Sequence, residues 1–222
     1  KDIKNQMTAP PRLTIKNMLN MATKPHWCLG MLQTKRHGFS NIIGHATGVE
    51  NLTSLSDWSA KTLMRTLNWD DLDWIIKRWG GKVILKGIQD VEDAKMAVKT
   101  GADAIIVSNH GGRQLDGALS SIRSLPSIID AVGDQIEVWM DGGIRSGQDV
   151  AKAVSLGAKG VMIGRPFIYG LGAMGQKGVS KALDIIHKEL DTTMALCGER
   201  DITNMTRDNL LIPKDFRGDW EK

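Results

Sequence analysis

Only two cysteines, Cys28 and Cys197, occur in the 222 residues. They are too few and too far apart for a disulfide framework or a thiolate metal site, so no metal is expected and a reducing compartment is the default. No apolar run approaches the roughly 20 residues that cross a bilayer. The opening Lys1-Asp-Ile-Lys-Asn5 has no signal-peptide pattern. No recognition helix or single-strand-binding module is readable, which argues against nucleic acid as a partner although the net charge is +4. The positive excess is local: residues 1–65 carry nine Lys/Arg against three Asp/Glu, and the remainder carries twenty against twenty-two. A basic stretch with Trp and Met can face water or an anionic membrane surface.

What the chain does contain is alternation. Val83-Ile-Leu85, Ala104-Ile-Ile-Val107, Ile136-Glu-Val-Trp-Met140 and Gly160-Val-Met-Ile163 read as short buried strands. Between them, 91–100, 120–132 and 148–156 read as amphipathic helices, with Asp90 and Ser146 as N-caps and Gly101 and Gly157 as stops. Strand alternating with helix implies parallel pairing through right-handed crossovers. The run Gly101-Ala-Asp-Ala-Ile-Ile-Val107 is echoed by Gly157-Ala-Lys-Gly-Val-Met-Ile163 fifty-six positions later. A spacing of two βα units fits a (β/α)8 TIM barrel better than a doubly wound sheet. The fold class expected is therefore α/β, with about four βα units forming the C-terminal part of such a barrel. Residues 1–69 are expected to be irregular, with Pro10-Pro11 and Pro25 breaking any long helix. Helices are expected over 70–79, with acids in its first turn, and over 180–196.

In parallel barrels the chemistry sits at the C-terminal ends of strands. The four ends carry Lys86-Gly87, then Ser108-Asn-His-Gly-Gly-Arg113, then Asp141-Gly-Gly-Ile-Arg145, then Gly164-Arg165. A histidine side chain ordinarily titrates near neutrality and an arginine forks bidentately onto carboxylates, so the pair His110 and Arg113 suits a substrate with a proton to remove and a carboxylate to hold, such as a 2-hydroxy acid. Glycines before helix starts, with Arg145 and Arg165 beside them, suit a phosphate. Each motif also has a plainer meaning: a His and Arg that only solvate a turn, a Lys at a strand edge, a tight Gly-Gly turn.

Taken together, Leu85-Lys86-Gly87, Ser108-Asn-His-Gly-Gly-Arg-Gln-Leu-Asp116, Asp141-Gly-Gly-Ile-Arg145 and Gly164-Arg165-Pro-Phe167 closely resemble the FMN-dependent 2-hydroxy acid oxidase/dehydrogenase family. Trp69-Asp-Asp-Leu-Asp-Trp74 and the segment before it look most like its respiratory, quinone-linked L-lactate dehydrogenase branch. The resemblance implies FMN as cofactor, His110 as the catalytic base at substrate C2, and Arg113 as the carboxylate clamp. It places Lys86 by flavin N1 and O2, Ser108 in a hydrogen bond to the flavin, and Asp141 at the ribityl chain. It assigns Gly142, Gly143, Arg145, Gly164 and Arg165 to the FMN phosphate, and leaves Asp116 as a brace of its loop.

The family draws two tyrosines, a threonine, a glutamine, an arginine and the aspartate that orients the catalytic His from its N-terminal half. None has a counterpart here, and Asp2-Ile-Lys-Asn5 resembles the family's mid-chain. The chain is thus expected to be a C-terminal portion with exposed strand edges and, alone, little flavin affinity or turnover. Residues 13–68 would be an excursion from one FMN domain spanning 1–222, with βα core units over 82–175 and a helix and tail over 180–222. In that excursion Met18, Leu19, Met21, Trp27, Leu29, Met31 and Leu32 with Lys16, Lys24, Lys35 and Arg36 suit a peripheral membrane contact, and a lid over the barrel mouth is the alternative.

The activity implied is oxidation of an L-2-hydroxy acid, L-lactate to pyruvate first among them. As a proton leaves to His110, a hydride or equivalent electron pair moves to flavin N5, and electrons pass to a quinone. An oxidase using oxygen and a non-catalytic phosphate-ligand-binding barrel are the alternatives. A homo-oligomer, at the cytoplasmic side of an inner membrane or in the cytoplasm, follows from the resemblance alone.

Overall fold

A computed structural model describes residues 14–34, 42, 45–49, 52–62 and 66–216. The Asp2–Asn5 stretch, Pro10-Pro11, Lys35 and Arg36 lie outside the described residues. The chain divides into two compact units, residues 1–67 and 68–222.

The first unit contains α1 (Ile15–Ala22), α2 (Pro25–Gln33) and α3 (Leu52–Thr62). This corrects the expectation of an irregular segment. Pro25 opens α2 at its first position, where the missing N–H has no intrahelical partner to lose, so it starts a helix and does not break one. Thr14 caps α1 by accepting the Asn17 N–H at 3.2 Å.

The second unit opens with α4 (Asp70–Trp79), whose first turn holds Asp70, Asp71 and Asp73 and whose last holds Lys77 and Arg78, both favourable to the helix dipole. There follow β1 (Ile84–Ile88), α5 (Val91–Thr100), β2 (Ala104–Val107), α6 (Ser121–Val132), β3 (Glu137–Asp141), α7 (Gly147–Ser155), β4 (Gly160–Met162), α8 (Arg165–Met174) and α9 (Gln176–Leu196). Asp90 caps α5 through the Glu92 N–H. Ser146 and Asp149 form a reciprocal capping box on α7.

The four strands are parallel and lie in sequential order, β1-β2-β3-β4. A doubly wound sheet reverses its strand order at a switch point, and this one does not. The architecture is α/β and matches part of a TIM barrel. On the helix side, Ile105, Val107, Val138 and Met140 pack with Ala94, Ala97, Leu125, Ile128 and Val150 in one buried core. Because side chains alternate along a strand, Lys86, Ile106, Trp139 and Asp141 point to the other face. Among the described residues β1 pairs only with β2 and β4 only with β3, and Ile84 and Met162 on these edge strands are exposed.

Two strands run further than their apolar letters suggest. β1, expected at 83–85, includes Lys86 and Gly87, and β3 includes Asp141. The alternation continues through both charged residues, which turn away from the core, so polarity marks the face here and not the strand's end.

Asp103, just before β2, ties down the approach to β1. Its Oδ1 meets Lys82 Nζ at 2.5 Å and its Oδ2 accepts the Val83 N–H at 2.8 Å. The Lys82 bond, then the Val83 amide, hold Asp103 below the ordinary carboxylate range, and Asp103 holds Lys82 above the ordinary ammonium range. The depressed Asp103 contributes stability above its unfolded pKa and loses it as pH falls through the folded value. The raised Lys82 contributes below its unfolded pKa and loses it as pH rises through the folded value. Asp103→Asn should therefore lower the thermal midpoint slightly between about pH 5 and about pH 9, and converge with the parent in strong acid and strong alkali. Thermal unfolding across that pH series checks it.

Candidate active site

The strand register brings three chemically distinct side chains together at one rim. Lys86 comes from β1, Ser108 follows β2 and Asp141 ends β3. Lys86 Nζ donates to Ser108 Oγ at 2.9 Å and meets Asp141 Oδ2 at 2.5 Å. The Ser108 hydroxyl donates to Asp141 Oδ1 at 2.5 Å and accepts the His110 N–H at 3.1 Å. Ser108 is only 1% exposed, and its one donor and two lone pairs are all engaged. Asp141 is half-buried, and its carboxylate retains lone pairs for further donors. The Lys86 ammonium has three N–H groups, and its contacts with Ser108 and Asp141 engage two of them.

His110 begins a one-turn 3-10 helix, His110–Gly112, and is exposed. Among the described residues it is the single non-glycine with positive φ, 54°. Its imidazole lies over Gly87: a Cβ there would stand 3.0 Å from His110 Cε1, and Gly87 itself has φ +99°. The base candidate is thus seated beside the strand that carries Lys86. Arg113 terminates the same turn with its side chain exposed. Arg165 reaches back from α8, its Nη2 donating to Gly111 O at 3.3 Å. Asp116 is exposed on the loop beyond.

The two candidate phosphate turns differ electrostatically. At α7, the Asp149 carboxylate already accepts the N–H groups of Arg145 and Ser146, each at 3.0 Å, so its N-terminus holds an anion of its own. At α8, Gly164 provides no side-chain cap and the first turn holds no acid, while Arg165 and Pro166 open the helix. A Cβ at Gly143 or Gly164 would meet nothing within 4 Å, leaving backbone approachable at both turns. Arg145 is exposed. An FMN phosphate therefore fits the α8 start better than the α7 start.

A cavity of about 660 Å³ lies on the helix side of the sheet, between α7 and the tail, lined by Met140, Ile144, Leu156, Leu210 and Phe216 and reaching the rim at Gly142, Gly143 and Asp149. No group of three His, Cys, Asp or Glu converges among the described residues. Sequence reasoning missed Asn109 and Ser121, which brace the His110 turn: Asn109 N–H donates to Ser121 Oγ at 3.1 Å. The signal available was an Asn before a glycine-rich turn, a residue that bonds its own backbone two positions on.

A family described as FMN-dependent dehydrogenase matches residues 1–212. The L-lactate dehydrogenase of Azorhizobium caulinodans is 48% identical over 197 residues, 88% of this chain and 52% of that protein. That of a Caulobacter species is 44% identical over 211 residues, covering 93% and 54%. The crystal structure of the monotopic membrane protein (S)-mandelate dehydrogenase superposes with a TM-score of 0.86 at 32% identity, covering 95% of this chain and 55% of that one. A mandelate oxidase variant with a monooxide FMN adduct gives 0.62 at 45% identity, covering 64% and 45%. The chain spans about half the length of the curated relatives it matches.

Gly87→Ala tests the seating of the imidazole. Both the left-handed backbone and the contact with His110 oppose a methyl group, so a destabilisation of about 1–3 kcal/mol is expected, with a displaced His110 ring resonance in NMR.

Proposed function

Because the chain belongs to the FMN-dependent dehydrogenase family, we propose that its rim is half of an active site that oxidises an L-2-hydroxy acid, L-lactate first, in the protein whose barrel it helps to form. The observation that carries this is the convergence of Lys86, Ser108, Asp141 and His110 at one strand-end rim. FMN, when bound, supplies the acceptor for the two electrons that leave the substrate. His110 takes the proton from the C2 hydroxyl or C2–H, and Arg113 clamps the carboxylate. Lys86 presents fixed positive charge where negative charge would accumulate. Asp141 keeps that ammonium in place and uses its remaining lone pairs on ribityl hydroxyls.

Ser108 reaches the flavin by exchanging one of its present bonds. The Lys86 bond is exchanged with least loss, since Lys86 keeps Asp141. Gly142, Gly143, Arg145, Gly164 and Arg165 hold the phosphate, chiefly at the start of α8. The domain is a single FMN unit over 1–222 with 13–68 as an excursion, and homo-oligomerisation rests on the family resemblance alone.

The electron acceptor we propose is a quinone. The L-lactate dehydrogenase relatives and the monotopic neighbour favour it over oxygen, and the mandelate oxidase likeness keeps oxygen as the second reading. No helix among the described residues is long and apolar enough to cross a membrane. A peripheral location at the cytoplasmic face of the inner membrane suits the first unit, where Leu19 and Leu32 are 66% and 81% exposed beside Lys16 and Lys24.

In the flavin-loaded protein, His110→Gln should lower kcat about 10²- to 10⁴-fold with flavin retained. Undiminished turnover removes His110 as the base, whereas no turnover in the parent, with phosphate-ligand binding unchanged by His110→Gln, would leave a non-catalytic phosphate-ligand-binding barrel. Arg113→Lys, which loses the bidentate fork, should raise KM for the hydroxy acid more than it lowers kcat. Co-sedimentation with anionic vesicles should fall several-fold when residues 13–68 are deleted. Equal binding removes the membrane role and favours the lid.

A further inference from the structure

We infer that Asn109 is a positioning residue that fixes the backbone of His110 and, through it, the placement of the base; the inference rests on the reading of His110 as that base. Left-handed backbone is uncommon for a residue with a side chain, so something must hold it. Asn109 does so from both sides. Its Oδ1 accepts the Gly111 N–H at 3.0 Å and its Nδ2 donates to Leu119 O at 3.2 Å. A backbone N–H and a backbone carbonyl on opposite sides settle the orientation of the amide, since neither contact survives a flip. Its own carbonyl accepts the Gly112 N–H at 2.9 Å, closing the turn around His110.

The bracing extends to both neighbouring strands. Gln89, after β1, donates Nε2 to the same Leu119 carbonyl at 3.1 Å. On the β3 side, a Cβ at Gly142 would stand 3.2 Å from Asn109 Oδ1 and 3.0 Å from Ser121 Oγ, so the Gly142–Gly143 turn backs directly onto the brace. Asn109 therefore sits where segments following three strands meet, between the saturated Ser108 hydroxyl and the imidazole. Without its acceptor the Gly111 N–H is released, His110 is free to leave φ 54°, and the ring loses its seat over Gly87.

The test compares Asn109→Ala, Asn109→Asp and Asn109→Gln with His110→Gln in the flavin-loaded protein. It follows kcat, KM for L-lactate, the pH profile of kcat, flavin content and amide exchange at Gly111. N109A should lower kcat about tenfold to a hundredfold with KM and flavin content little changed, and Gly111 should exchange faster. N109D keeps the acceptor, so Gly111 protection and most of kcat should return. The acidic limb of its profile should move to higher pH, because the new carboxylate favours protonated His110. N109Q carries the same groups one methylene too far and should behave as N109A, replacing it if N109A does not fold.

Turnover of N109A or N109Q within twofold of the parent overturns the inference, whatever the exchange shows. So does N109D as defective as N109A in both turnover and Gly111 protection. If His110→Gln keeps its turnover, the base assignment falls and this inference with it. If only the Asn109 variants are unaffected, the base assignment stands and the inference alone is lost.

Discussion

The arrangement at the rim depends on one ion pair, Lys86 with Asp141, made across the width of a strand. The two residues belong to β1 and β3, with β2 between them, so they meet only because the parallel register aligns all three ends and because the residue in the middle is small. Ser108 meets both demands: it leaves room and supplies a hydroxyl that bonds both charges. A larger residue at that point would separate the partners. The pair is only partly withdrawn from water, with side chains 39% and 19% exposed, so it avoids the full desolvation cost of a buried ion pair.

Around that pair the rim has a directional charge pattern. The α7 start is neutralised by Asp149, which the chain carries four residues after Arg145 as part of an ordinary capping box. The α8 start has no such acid and brings an arginine instead. Two Gly/Arg turns that look alike as letters therefore differ in the charge already held at the following helix start, and the difference comes from a residue inside that helix.

Much of this is legible in the residue pattern. β2 falls at its expected limits, and α4 and α5 do as well, because caps, glycine stops and β-branched runs agree there. The strands that carry Lys86 and Asp141 end later than their apolar runs, because these are charged residues inside a strand that mimic its end. The helices of the first unit are hidden in the letters, since a proline in a polar stretch reads as a breaker unless its place at a helix start is recognised. α9 begins four residues before its expected position, in a glycine-containing stretch that propensity disfavours and packing against α8 overrides. Motifs suffice to name the candidate site residues. They do not reveal the hydrogen bonds between the side chains of Lys86, Ser108 and Asp141, which depend on register between segments 22 and 33 residues apart. Asn109 escapes notice for a different reason: its work is to shape the backbone beside a chemical group, and no functional group of its own calls attention to it.

The φ of 54° at His110 narrows what that position can be. Left-handed backbone is tolerated by glycine and, among residues with side chains, mainly by asparagine, aspartate and histidine, while β-branched and bulky residues resist it. Within that short roster glycine and asparagine carry no exchangeable proton of useful acidity, and aspartate releases its own well below neutrality. Imidazole alone satisfies the local geometry and titrates near physiological pH, so sterics and acidity, two unrelated filters, select the same amino acid.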